Sequence, residues 1–155
     1  MFKRKFLLPV LLMSSFLSIM LNSCGSASLV VSQGVDLSEY KYICFGDKGI
    51  EGEDSFADII MMVENEIVYT NLKPISLAHA PDDCWWHTLT PDIYITAEKL
   101  GGGNTHITLS LRDINTGQDV IVIKSSGFGW TSSHDKKLAV KALGKKLQSV
   151  FGSKE

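Results

Sequence analysis

The chain of 155 residues has only three cysteines and four prolines, and after residue 21 it has no apolar run of membrane-spanning length. A disulfide-dense scaffold needs more cysteine than this, and a polytopic membrane protein needs repeated spans of about 20 apolar residues. The common catalytic signatures are missing as well: there is no G-x-S-x-G elbow, no H-E-x-x-H helix and no paired C-x-x-C. Gly101-Gly102-Gly103 lacks the lysine and hydroxyl of a phosphate loop, and Gly127-Phe128-Gly129 follows a hairpin instead of opening a dinucleotide fold. His106 has no acidic neighbour reserved for it, and His134 has Asp135 directly beside it, where adjacent helix positions diverge. These absences lead to the expectation of a protein that is not an enzyme and holds no cofactor. What remains is 45% hydrophobic, 21% charged and 9% aromatic, the balance of one globular domain and not of a collagen-like, coiled-coil or disordered chain.

The amino terminus is a separate unit. Met1-Phe2-Lys3-Arg4-Lys5 is basic, and residues 6–21 are apolar but diluted by Pro9, Ser14, Ser15 and Ser18. Sixteen such residues are short for a spanning helix, whereas a basic start, an apolar middle and small residues at the end make up an export signal.

Leu21-Asn22-Ser23-Cys24 at the end of that run resembles the lipobox of bacterial lipoproteins. The resemblance implies that the sulfur of Cys24 takes a diacylglyceryl group, that the signal is cut just before it, and that the new amino terminus is acylated. Thioether formation needs a thiolate, which cysteine alone supplies. The expected division is a signal peptide over 1–23, a lipidated cysteine and tether over 24–34, and a single domain over 35–155. Two or three acyl chains, at about 0.8 kcal/mol per buried methylene, hold such a domain on a bilayer almost irreversibly. Residues 25–28 are Gly-Ser-Ala-Ser, without the acid that resembles an inner-membrane retention signal or a surface-export run. The expected location is therefore the outer membrane, facing the periplasm.

Within the domain, residues 40–45 are aromatic and β-branched and predict a first strand. Phe56, Ile59, Ile60, Val63 and Ile67 repeat at helical spacing, with Asp54 or Ser55 as a cap and Asp58, Asn65 and Tyr69 on the other side. Residues 72–77 predict a short strand that Pro74 keeps at an edge, so strand, helix and strand suggest a parallel crossover. Residues 92–98 and 107–112 alternate as half-buried strands do, and Asn115-Thr116-Gly117 predicts a three-residue hairpin loop. That loop sets Leu111 opposite Ile121 and Leu109 opposite Ile123 on the core face, with Val120 and Val122 on the other. A last helix, capped by Ser132 or Ser133, buries Ala139, Val140, Leu143, Leu147, Val150 and Phe151, and turns Lys137, Lys141 and Lys145 outward. The expected fold is α+β: one mixed or antiparallel sheet of about five strands with two helices on one face.

Charge is divided along the chain. Residues 24–119 carry 5 bases and 15 acids, and residues 120–155 carry 7 bases and 2 acids. The mature chain's net charge of −5 argues against nucleic acid. The lysine face suits a solvated surface, anionic lipid or an acidic partner.

Asp36-Leu37-Ser38-Glu39-Tyr40-Lys41-Tyr42, Pro91-Asp92-Ile93, Thr108-Leu109-Ser110-Leu111-Arg112-Asp113 before Thr116-Gly117, and the alanine-bearing last helix resemble a family of small bacterial lipoproteins whose domain has no assigned function. A looser likeness is to the sheet-and-two-helix domains of the envelope proteins TolB and the curli secretion lipoprotein. These likenesses imply assembly in the cell envelope, with an envelope protein as partner, in place of catalysis.

Candidate contact residues are Trp85, Trp86 and His87 in the loop before residue 91, and Trp130 beside a turn; such side chains either pack on the sheet edge or meet a partner. Adjacent tryptophans in extended chain cannot both face one core. Once Cys24 is acylated, Cys44 with Cys84 is the one disulfide open within the chain, unless Cys44 is simply buried on its strand. His79, Asp82, Asp83, Cys84 and His87 are metal-ligand types within nine positions, although in irregular order. The expected function is a non-catalytic, lipid-anchored envelope binding or assembly module. The alternative is a small periplasmic metal binder or enzyme using the His79–His87 loop.

Overall fold

The computed structural model describes residues 24–45, 56–76, 82–97, 103–129 and 131–154, with the backbone alone for Asp82, Asp83 and Ala97. Asp54, Ser55, His79, Trp130 and the expected signal at 1–23 lie outside the described residues. Six strands, β1 (Cys24–Val31), β2 (Tyr42–Cys44), β3 (Lys73–Ile75), β4 (Thr88–Ala97), β5 (Asn104–Asp113) and β6 (Asp119–Phe128), form one sheet in the order β1-β6-β5-β4-β2-β3. Helices α1 (Ala57–Val68) and α2 (Ser132–Phe151) complete an α+β fold with a mixed sheet. Among the described residues no helix is long and apolar enough to cross a membrane.

The β5–β6 hairpin follows the alternation of its sequence. Leu111 pairs with Ile121 and Leu109 with Ile123, all fully buried, and Gly117 takes the positive φ of 67° that the loop demands. One departure follows from a bulge between Leu111 and Arg112, which opposes Arg112 to Asp119 and leaves Val120 as the extra residue. A bulge sends two consecutive side chains to the same face, so Val120 joins Ile121 in the core at 2% exposure instead of facing out. Val122 stays on the outer face, where it pairs with Val30 of β1.

The expected crossover is present: β2 and β3 are parallel neighbours joined through α1, and β2 is also parallel to β4. Ile59, Val63 and Ile67 are the buried stripe of α1, while Asp58, Asn65 and Tyr69 are exposed. In α2, Ala139, Val140, Leu143 and Leu147 are buried, and Lys137, Lys141 and Lys145 are exposed. Its cap is Thr131, one residue before the expected serines; the Thr131 hydroxyl accepts from the backbone N–H of His134.

Leu29-Val30-Val31, expected as a short strand behind a tether, belong to a longer strand that reaches back to Cys24. All eight residues from Cys24 to Val31 pair antiparallel with β6, Cys24 opposite Phe128 and Val31 opposite Ile121. Small side chains make this possible. A β-carbon on Gly25 would meet the backbone oxygen of Leu138 at 2.6 Å, and one on Gly127 would strike the backbone of Asp135 and Ala139. Helix α2 therefore lies directly on the glycine pair that joins β1 to β6.

Candidate functional site

Strand directions sort the candidate residues into two ends of the sheet. The antiparallel pairings put Cys24, Phe128 and Asn104 at one end, and Val31, Asp119, Asp113 and Thr88 at the other. An eight-residue strand at about 3.3 Å per residue separates these ends by roughly 25 Å. Cys24 is exposed at the first end, with the half-exposed ring of Phe128 on the neighbouring strand.

The tryptophan segment is at the far end. Residues Asp82–His87 form a 3₁₀ turn that runs straight into β4. The bonds that hold it include those from Thr88 Oγ1 to the carbonyl of Cys84 at 2.6 Å, from Lys41 N–H to the carbonyl of His87 at 3.0 Å, and from Asn115 Nδ2 to the carbonyl of Trp85 at 2.7 Å. The turn resolves the conflict between adjacent tryptophans: Trp85 is half-buried and Trp86 is 71% exposed. His87 is half-buried, and among the described residues its buried Nδ1 has no hydrogen-bond partner. Trp130 lies outside the described residues. Trp85, Trp86 and His87 share this turn.

Sequence reasoning missed the polar support beneath this ridge. The Tyr40 hydroxyl donates to Asp113 Oδ2 at 3.0 Å, while Asp113 Oδ1 accepts the backbone N–H groups of Asn115 at 2.9 Å and Thr116 at 2.8 Å. Burial, then the Asp113 bond and its charge, push the Tyr40 phenol up to about 12. Burial also acts to raise Asp113, but the bonds from Thr116, Tyr40 and Asn115 outweigh it and hold the carboxyl below its usual value. The available signal was Asp113 two residues before the loop asparagine, a pattern in which an aspartate bonds the turn's own backbone.

Cys44 and Cys84 are both buried thiols. The β2–β4 register sets Cys44 two residues past the Tyr42–Thr88 pair, and Cys84 four residues before Thr88. Among the described residues no group of three or more His, Cys, Asp and Glu is arranged to hold a metal.

On the outer face, Arg112 bridges Asp92 of β4 at 3.2 Å and Asp119 of β6 at 2.8 Å. These ions are about two-fifths exposed, and they serve register more than stability.

No protein-family model matches the chain, and none of the curated proteins does. Solved structures do. A PelC dodecamer from Paraburkholderia phytofirmans is similar over 84% of this chain and 99% of its own, at 12% identity and a TM-score of 0.50. A second PelC dodecamer structure from the same organism is similar over the same shares, at 14% identity and a TM-score of 0.47. A PDZ domain protein from Parabacteroides distasonis aligns with 93% of this chain and 40% of its own, at 13% identity and a TM-score of 0.49. At such identities the likeness to PelC is one of fold.

Proposed function

We propose that the chain is a non-catalytic binding or assembly module of the cell envelope, held by an acylated Cys24 on the periplasmic face of the outer membrane. The observation that carries this reading is polarity of placement. The lipobox cysteine opens β1 at one end of the sheet, and the turn that carries the exposed Trp86 enters β4 at the opposite end, roughly 25 Å further along the strand direction. An anchor at one end and a rigid aromatic ridge at the other is the layout of a domain that presents a contact surface away from a membrane. The PelC chains of the same fold occur as a dodecamer, which supports an assembly role.

Fatty-acid labelling of cells expressing the wild type and Cys24→Ala tests the anchor. Label on the wild type alone is expected, and equal labelling of both overturns the assignment. The metal-binding alternative uses His79 and the side chains of Asp82 and Asp83, which lie outside the described residues.

A further inference from the structure

The two edges of the sheet are guarded unequally. At one edge, β3 is three residues long and contains Pro74, which has no N–H to offer. At the other, β1 runs eight residues with no proline and no charge, and among the described residues no strand lies beyond it. The bond from Ser32 N–H to the Val120 carbonyl fixes the phase of the β1–β6 ladder. Residues in step with Ser32 bond to β6, so Gly25, Ala27, Leu29 and Val31 turn their N–H and C=O groups outward. That is a row of backbone donors and acceptors along an open edge.

Beside this edge is a groove of about 470 Å³ between β1 and α2. Gly25 and Ala27 line it from the strand, Leu138 and Ala142 give it an apolar floor, and Lys141 and Lys145 form its rim. The two lysines are one helical turn apart, about 6 Å along the axis. Alternate residues of a strand repeat at about 6.6 Å, a spacing close to that of the two lysines.

We propose that β1 is a docking edge for an extended acidic segment of another envelope protein. The segment adds as a seventh strand beside β1 and lays alternate carboxylates along Lys141 and Lys145. Backbone pairing supplies affinity and the lysine rim selects sign, as in other cases of strand addition. A second copy of this chain fits less well. Antiparallel pairing of β1 with its own copy keeps both α2 helices on one face and brings their lysine rims together, where like charges repel. The proposal rests on the reading of the chain as a binding module and extends it to a partner class and a second surface.

The test uses the full chain in uncharged detergent and a fluorescent, end-blocked decapeptide of alternating threonine and glutamate, with a threonine–lysine peptide as the comparison. The acidic peptide is expected to bind, and the basic one to bind at least tenfold more weakly. Lys141→Glu with Lys145→Glu is expected to weaken the acidic peptide at least tenfold. Ala27→Pro removes one outward N–H at an edge position that tolerates proline, and a similar loss is expected with an unchanged melting temperature. Equal binding of both peptides overturns the proposal. So does unweakened binding by Ala27→Pro, which marks simple charge attraction, or dimerisation abolished by Ala27→Pro, which assigns the edge to a second copy. Cys24→Ala is expected to bind like wild type, which keeps this result separate from the anchor assignment.

Discussion

Gly25 of β1 and Gly127 of β6 are cross-strand partners, and the backbone of α2 rests on both. Backbone cannot swing aside as a side chain can. Gly127→Ala is therefore expected to destabilise the domain by about 3 kcal/mol or more, since overpacking costs typically 1–3 kcal/mol even where neighbours relax. Urea unfolding followed by far-UV circular dichroism measures it, and a midpoint equal to wild type contradicts the close approach of α2.

The Tyr40–Asp113 pair makes stability depend on pH at both extremes. Tyr40 keeps its proton to about 12 in the folded chain, against 10.0 for the ordinary phenol. Between those values the unfolded chain binds fewer protons, so stability falls as pH rises through that window. Asp113 is depressed from 3.8, so its contribution is present above that value and is lost as pH falls below it. Tyr40→Phe is expected to lose about 0.5–1.5 kcal/mol at neutral pH and the decline between pH 10 and 12. Denaturant midpoints of both proteins across pH check this, and parallel curves contradict it.

Trp86 is exposed on a turn that is held by other atoms, so Trp86→Ala is expected to change stability by less than about 0.5 kcal/mol. If the proposed envelope role holds, the same substitution reduces crosslinking of the chain to other proteins in intact cells. Trp85 is half-buried, and Trp85→Ala is expected to lower the melting temperature as well. Undiminished capture by both variants removes this ridge from the contact surface.

Metal content separates the two functional readings. Purified protein is expected to contain less than stoichiometric zinc or copper; one equivalent of either shifts the function to the His79–His87 loop.

The residues that alternate cleanly were the legible ones. Ile107, Leu109 and Leu111 against Ile121 and Ile123 gave the register of the central hairpin, because one face had to be buried. Val120 departs from the expected outward position because a bulge alters the period locally and leaves no mark in composition. Cys24 to Ser28 carry no apolar alternation; they form a strand because β6 offers an edge and α2 needs glycine beneath it. Trp85 and Trp86 stand out by residue type, whereas which of them is exposed is decided by the 3₁₀ turn and by bonds from residues distant in sequence, such as Asn115 and Lys41.

Ser26 and Ser126 share a hydrogen bond across 100 positions of sequence. A polypeptide that emerges amino terminus first presents residues 24–31 long before their partner strand arrives, and such distant pairings close late. During that interval the first cysteine is on unpaired chain, where the proposed acylation has access to it. Once β6 emerges, the same segment is zipped into the sheet, so the order of synthesis separates the time at which residues 24–31 are open chain from the time at which they are architecture.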